Sequence, residues 1–296
     1  MRIAVTGATG FVGSAVCRAA EARGWQVHPF GRRPGVRHWD ITSGPLADPP
    51  EVDAVVHAAA SVADETESAA MWRTNVDGTR NVADTFPGTR LVHVSTASVY
   101  DPFTATVNAD ESAAPVARYL NAYGESKAAA ERLLTYRPNT VVLRPHAVYG
   151  PGDTTLLPRL LGAIRGRNLV IVGDGRTRHS LTSIDNLTDA VLLACAPTAK
   201  PGTYNVADAE PVVLEEALPE IFAERGLHVR IRHLPVRLAW LLAAVAENTW
   251  RPPRLAQLSR YAVSHLGFER TLDITAARRD LGYRPSPTSF TGAREW

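Results

Sequence analysis

Tyr123 and Lys127 stand four residues apart in Tyr123-Gly124-Glu125-Ser126-Lys127, and this pair is the strongest chemical signal in the chain. On a helix that spacing puts both side chains on one face, roughly 6 Å apart along the axis. A phenol alone is a poor acid–base group at neutral pH, with an unperturbed pKa of about 10. A neighbouring ammonium stabilises the phenolate and brings its proton into catalytic range. Lys127 and Lys200 are the only lysines, so the match is no by-product of a lysine-rich surface. A third group comes from Ser95-Thr96-Ala97-Ser98-Val99-Tyr100, directly after the apolar run Leu91–Val94. A hydroxyl such as Thr96 at the carboxyl edge of a parallel strand can hold a substrate oxygen while Tyr123 exchanges its proton. Hydroxyls there also form turns, and the run leaves open whether Ser95 or Ser98 assists.

A second signal lies in Thr6-Gly7-Ala8-Thr9-Gly10-Phe11-Val12-Gly13. Gly7 suits a tight turn, Gly10 the approach of backbone to a pyrophosphate, and Gly13 close packing of helix on strand. The helix start then offers unpaired N–H groups and partial positive charge to phosphates. A dinucleotide is the expected ligand, with Thr9, Phe11 and Val12 in the same segment. A carboxylate about twenty residues on would hold a ribose 2′-hydroxyl and favour NAD. Gly31 stands there instead, followed by Arg32 and Arg33, and a guanidinium can bind a 2′-phosphate bidentately. These residues favour NADP over NAD, although exposed arginines commonly do no more than solvate a loop. Lys127 can in addition hydrogen-bond the nicotinamide ribose.

The elements that must carry these groups alternate. Arg2–Val5, Gln26–Phe30, Ala54–Ala58, Leu91–Val94 and Thr140–Arg144 read as strands. Val12–Arg23 (closed by Gly24), Glu65–Phe86 and Tyr123–Leu134 read as helices. Such alternation predicts an α/β fold, a Rossmann-type doubly wound parallel sheet. After Arg144 the rhythm loosens at Pro145, Pro151 and Pro158. Leu181–Ala196 reads as strand then helix, and Glu215–Arg225, Pro235–Glu247 and Leu255–Leu266 as helices. The expected division is a dinucleotide domain over 1–144, with 181–206 crossing back to it. Residues 145–180 and 207–296 then form a smaller C-terminal substrate-binding domain.

Composition narrows the class further. A chain of 296 residues, 45% apolar, can bury a sizeable core, and a net charge of +2 gives no reason to expect nucleic acid. Two cysteines are too few for a disulfide framework, and the opening strand leaves no room for a secretory signal. The longest apolar run, Leu238–Ala246, is about half of a spanning helix. The expectation is a cytoplasmic enzyme without membrane insertion, acting on a small molecule, with a homodimer open. The nine histidines lack metal-ligand spacing, so no metal is expected. His57 and His93 read as packed residues, and Arg251, Arg254 and Arg260 as a solvated face.

Taken together the motifs resemble the extended short-chain dehydrogenase/reductase superfamily over nearly the whole length. The likeness runs through Thr6–Gly13, Asp40-Ile41-Thr42, His57-Ala58-Ala59-Ala60 and Asn75-Val76-Asp77-Gly78-Thr79. It continues through Ser95–Tyr100, Tyr123–Lys127 and Leu143–Gly152. The resemblance implies Thr96, Tyr123 and Lys127 as the catalytic set and Asp40 and Ile41 beside the adenine. It places Ala58, Ala59, Ala60 and Pro145 along the cofactor, and Ser95, Ser98, His146, Ala147 and His179 on the substrate side. The sugar-nucleotide branch usually has Asn where Ala147 stands, and often Arg-Asp-Phe where His179-Ser180-Leu181 stand. Dehydratases carry Asp-Glu where Ala97-Ser98 stand, and these two cannot perform that acid–base elimination. The C-terminal half looks more like the 3β-hydroxysteroid dehydrogenase-like branch. The segments behind that likeness are Gly173-Asp174-Gly175 through Asp185-Asn186, Leu234-Pro235 with its apolar helix, and Phe268–Pro285. There Trp240 would line a lid over the substrate. The expected function is NADP-dependent reduction of a ketone, or oxidation of the secondary alcohol, in a largely apolar molecule. The alternative is a UDP- or TDP-sugar epimerase or 4-ketoreductase. A second alternative is a non-catalytic NADP-sensing protein, a class that typically lacks the Tyr/Lys pair.

Overall fold

The computed structural model describes residues 1–62, 68–248 and 259–296. β1 (Arg2–Thr6) feeds α1 (Phe11–Ala22), and β2 (Gln26–Gly31) and the short β3 (Arg37–His38) follow. After β4 (Ala54–His57) come α2 (Ser68–Trp72), a π-helical turn Arg73–Asp77 and α3 (Gly78–Thr85). β5 (Arg90–Val94), β6 (Thr106–Ala109), α4 (Ala122–Leu134) and β7 (Thr140–Pro145) complete the first half. β8 (Val148–Tyr149), α5 (Leu156–Ala163), β9 (Asn168–Val172), β10 (Arg178–His179) and β11 (Thr182–Ser183) lie outside the main sheet. The chain then re-enters it through α6 (Ile184–Cys195) and β12 (Gly202–Val206).

Seven strands pair in parallel in the order β12-β7-β5-β4-β1-β2-β3. Both faces of this sheet are covered, which is why β1, β4 and the middles of β5 and β7 are near-continuous apolar runs rather than alternating with polar residues. Successive side chains of β1 go to opposite cores. Ile3 and Val5 pack with Val16 and Ala20 of α1 and Leu187 and Val191 of α6. Ala4 packs with Phe30, Trp39, Ile41, Val82 and Phe86 on the other side. The Rossmann-type expectation is therefore met.

A smaller C-terminal unit adds β13 (Val212–Val213), α7 (Leu214–Glu224), β14 (Arg230–Leu234) and α8 (Val236–Asn248). It ends with α9 (Arg260–Gly267), β15 (Arg270–Leu272) and α10 (Thr275–Asp280). Its four-stranded sheet has the order β13-β10-β15-β6, so β6 leaves the first half to pair with β15 near the end of the chain.

Two expected helices differ. Glu65–Phe86 is helical from Ser68 to Thr85 but passes through the π-turn, and residues 65–67 lie outside the described residues. Of the helix expected over Leu255–Leu266, residues 255–258 also lie outside, and α9 runs from Arg260 to Gly267. Arg251 and Arg254 share that status, whereas Arg260 forms an ion pair with Glu247 at 2.5 Å. Among the described residues no helix is long and apolar enough to cross a membrane.

Candidate active site

β5 ends where the hydroxyl run begins. Thr96 is extended, and its side chain accepts the Ser98 N–H at 3.1 Å, which turns the chain into a single 3-10 turn, Ala97–Val99. The start of α4 packs onto that turn. Its N-cap Asn121 accepts the Gly124 N–H at 3.0 Å, and a Cβ on Gly124 would come within 2.7 Å of the Ser98 carbonyl oxygen. Only a glycine admits this approach, and it sets Tyr123 beside Thr96, whose hydroxyl hydrogen-bonds the phenol. One turn along, Lys127 is buried, and its Nζ donates to the Val94 carbonyl at 2.7 Å and lies 3.2 Å from His93 Nε2. The fold thus brings Thr96, Tyr123 and Lys127 together. Burial raises the Tyr123 pKa, nearby Tyr261 adds to this, and the Thr96 hydroxyl opposes it. Burial lowers Lys127 to about 8, against the pull of Glu131.

The two serines separate. Ser95 gives its hydroxyl to Glu131, which is bound to Arg144 at 2.7 Å in a buried ion pair. Arg144 also donates to the carbonyls of Glu111 and Ala114. Ser95 therefore ties the end of β5 to α4, and the Glu131–Arg144 pair ties α4 to β7. Ser98 accepts from Thr96 at 3.1 Å and lies 2.9 Å from the Tyr261 hydroxyl. Tyr261, on α9, was not singled out from sequence, because nothing local connects it to Ser98. Asn75 appeared there only within a motif. Its amide donates to Ser126 Oγ at 3.0 Å, and Ser126 donates to the Tyr123 carbonyl, bracing the same helix turn.

The glycine segment has the shape a dinucleotide needs. Gly7 is left-handed (φ 71°), and a Cβ on Gly13 would sit 2.1 Å from the Gly7 carbonyl oxygen. α1 begins at Phe11 with Gly10 as N-cap and no side chain capping it, which leaves its first N–H groups without a side-chain partner, as an anion-binding helix start requires. Ala59 lies against Gly7, and Ala58 and Ala60 flank it after β4. Phe11 lies beside Gly152, Thr9 beside Gly31, and Val12 on the core under the sheet. Ile41 is buried against Gly78, and Asp40 caps its turn through Thr42, bonds that hold its carboxyl below the usual range. Pro145 closes β7. Arg32 and Arg33 are both exposed, and Arg32 already stands in the field of Asp40.

On the substrate side three imidazoles gather. His146 Nδ1 donates to the Ser180 carbonyl at 2.6 Å. Its ring stacks 6.4 Å from His179 and 5.7 Å from His265. Burial lowers His146 to about 4 and His179 to about 3, and puts His265 well below its ordinary value. All three are neutral at pH 7. His179 belongs to β10. Arg270 beside them spends its terminal nitrogens on protein oxygens, among them the Asp101 and Thr104 carbonyls and Ser264 Oγ. Ala147 (φ 47°) packs against the cluster of Tyr149, Leu181 and Phe290. Trp240 packs on Phe268 at 6.4 Å and on the cluster of Val172, Ala239 and Val263 in the C-terminal unit.

The sequence profile of the NAD dependent epimerase/dehydratase family matches residues 3–207. The chain belongs to that family. It is a short-chain dehydrogenase/reductase-type enzyme that uses a nicotinamide cofactor. A 2-alkyl-3-oxoalkanoate reductase of Stenotrophomonas maltophilia (strain K279a) is 33% identical over 99% of this chain and 98% of its own length. Among solved structures, UDP-glucuronic acid 4-epimerase from Bacillus cereus in complex with NAD superposes with a TM-score of 0.74 at 21% identity, over 100% of this chain and 94% of that one. MoeE5 in complex with UDP-glucose and NAD gives 0.72 at 23% identity, over 98% and 94%. Two expectations change. NADP is overturned by these neighbours, which hold NAD; Arg32 and Arg33 are exposed, and exposed arginines commonly do no more than solvate a loop. Closeness to the 3β-hydroxysteroid dehydrogenase-like branch is not the best-supported likeness, since a 33%-identical relative matched over nearly the full length of both chains is an oxoalkanoate reductase.

Proposed function

We propose that this enzyme interconverts a ketone and its secondary alcohol with NAD as cofactor, on a small molecule whose body is largely apolar. The observation behind the substrate class is the neutral histidine group beside the Ala147 methyl. A diphosphate needs cations and donors, and here His146 and His179 carry no charge at pH 7 while Arg270 is spent on protein oxygens. The 33%-identical relative, an oxoalkanoate reductase, supports the same reading.

The bound nicotinamide supplies or accepts the hydride. In the reductive direction Tyr123 gives its phenolic proton to the carbonyl oxygen as the alkoxide forms, and Thr96 holds that oxygen through its hydroxyl. Burial keeps Tyr123 protonated before the step. Lys127, one turn along the helix, lends positive charge to the phenolate once the proton has left.

A second reading keeps the same chemistry on a nucleotide-linked sugar. The solved neighbours support it, since MoeE5 holds UDP-glucose. NADH-consumption assays with long-chain 3-oxoalkanoates, alongside calorimetry with UDP-glucose and UDP-glucuronic acid, decide between them. Saturable NADH oxidation with the oxoalkanoate and no heat from the UDP-sugars is expected. Micromolar binding of a UDP-sugar, competed by UDP, would overturn the apolar reading.

A further inference from the structure

We propose that His93 is the positioning residue of Lys127, a neutral imidazole that satisfies the lysine in both of its charge states. This rests on the reading of Lys127 as the active-site lysine. His93 lies on β5 without solvent exposure, under the first turns of α4, with Nε2 3.2 Å from Lys127 Nζ. An ammonium has three donors. The Val94 carbonyl takes one and His93 Nε2 a second, which leaves the third for the reacting side.

The neighbouring His57, its ring 5.2 Å away, cannot play this part. Thr79 gives its own proton to the Asn75 carbonyl, so its oxygen can only accept from His57 Nε2–H. That leaves His57 Nδ1 to accept from Thr6 at 2.7 Å, and the tautomer is locked from both sides. His93 has no such lock, because its Nδ1 is buried without a hydrogen-bond partner among the described residues.

With Lys127 as ammonium, His93 carries its proton on Nδ1 and offers the Nε2 lone pair. With Lys127 as amine, His93 keeps that proton, and the two remaining Nζ–H groups still donate to the Val94 carbonyl and to His93 Nε2. Between the two states only the third Nζ–H bond breaks, and its proton leaves on the reacting side. The pair loses one proton, and no nitrogen facing its partner is stranded. The other ionisable groups around Lys127 are Glu131 and Tyr123 on its own helix and His57 on β4. Glu131 is committed to Arg144 on β7 and to Ser95. Burial, together with the charge of Lys127, holds His93 well below its ordinary pKa, which keeps the imidazole neutral throughout.

Two lysines make the test direct. Protein labelled with 13Cε-lysine gives one resonance for Lys127 and one for Lys200, which is exposed and serves as the internal control. Both are titrated with and without saturating NAD, and no substrate is needed, so failure of the proposed ketone chemistry leaves the readout intact. His93→Phe removes the acceptor, and the Lys127 titration is expected to fall by about one unit or more. His93→Gln places an amide that can accept or donate at the Nε2 position, and it should keep the titration within about half a unit of wild type. An unshifted Lys127 in folded His93→Phe, or an equal shift in His93→Gln, would overturn the proposal. If the Phe variant does not fold, His93→Leu serves the same comparison.

Discussion

Gly124 and Ser98 meet backbone to backbone: a Cβ on Gly124 would stand 2.7 Å from the Ser98 carbonyl oxygen. The contact joins the helix that carries Tyr123 to the turn that carries Thr96. Neither partner is the far end of a flexible side chain, so Gly124→Ala must push α4 away from β5. Overpacking of this kind costs about 1–3 kcal/mol. Thermal melting should fall accordingly, and turnover should fall more than NAD affinity. Unchanged turnover would mean that the Tyr123–Thr96 pair tolerates the displacement.

Tyr123→Phe removes only the ionisable oxygen. Turnover should drop by roughly two orders of magnitude or more, with NAD affinity kept. Single-turnover rates within twofold of wild type would remove Tyr123 from the mechanism.

The glycine turn and the Tyr123–Lys127 spacing were legible because each is local. A helix period or a strand-to-helix turn fixes where those side chains go within a few residues. The same holds for the parallel sheet, whose apolar runs carry the buried-strand signature. Tyr261, His93 and the Glu131–Arg144 pair were not legible as parts of the site, since each acts through an element distant in sequence. Arg32 and Arg33 show the opposite error: a charge next to a motif invites a role that its position in the sequence alone does not establish.

Ser98 and Ser95 give a paired test of that reading. Ser98 Oγ stands between Thr96 and Tyr261, whereas Ser95 is held by Glu131. Loss of one hydrogen bond costs about 0.5–1.5 kcal/mol, so Ser98→Ala and Tyr261→Phe should each lower turnover about two- to thirteenfold. Ser95→Ala should instead lower the melting temperature and leave turnover near wild type. The reverse pattern in steady-state kinetics would reassign the assisting hydroxyl to Ser95.

The buried histidines make stability depend on pH above the range in which carboxylates titrate. Burial puts the folded pKa of His146 at about 4 and that of His179 at about 3, against 6.5 for a free imidazole. Because the folded values are depressed, the unfolded chain binds more protons than the folded one between those values and 6.5. The full contribution is therefore present above pH 6.5 and is lost as pH falls towards 4. Across that window each histidine removes roughly 1.4 kcal/mol per pH unit. Melting temperatures measured at pH 7, 6 and 5 should decline, most steeply below pH 6. His179→Gln keeps an amide that can reach Thr177 but cannot take up a proton, so it should flatten the decline. A wild-type melting temperature that is level from pH 7 to 5 would show that these rings are reached by water and protonate in place. The case against a diphosphate-bearing substrate would then fall with it, because the same imidazoles would be charged and available to an anion.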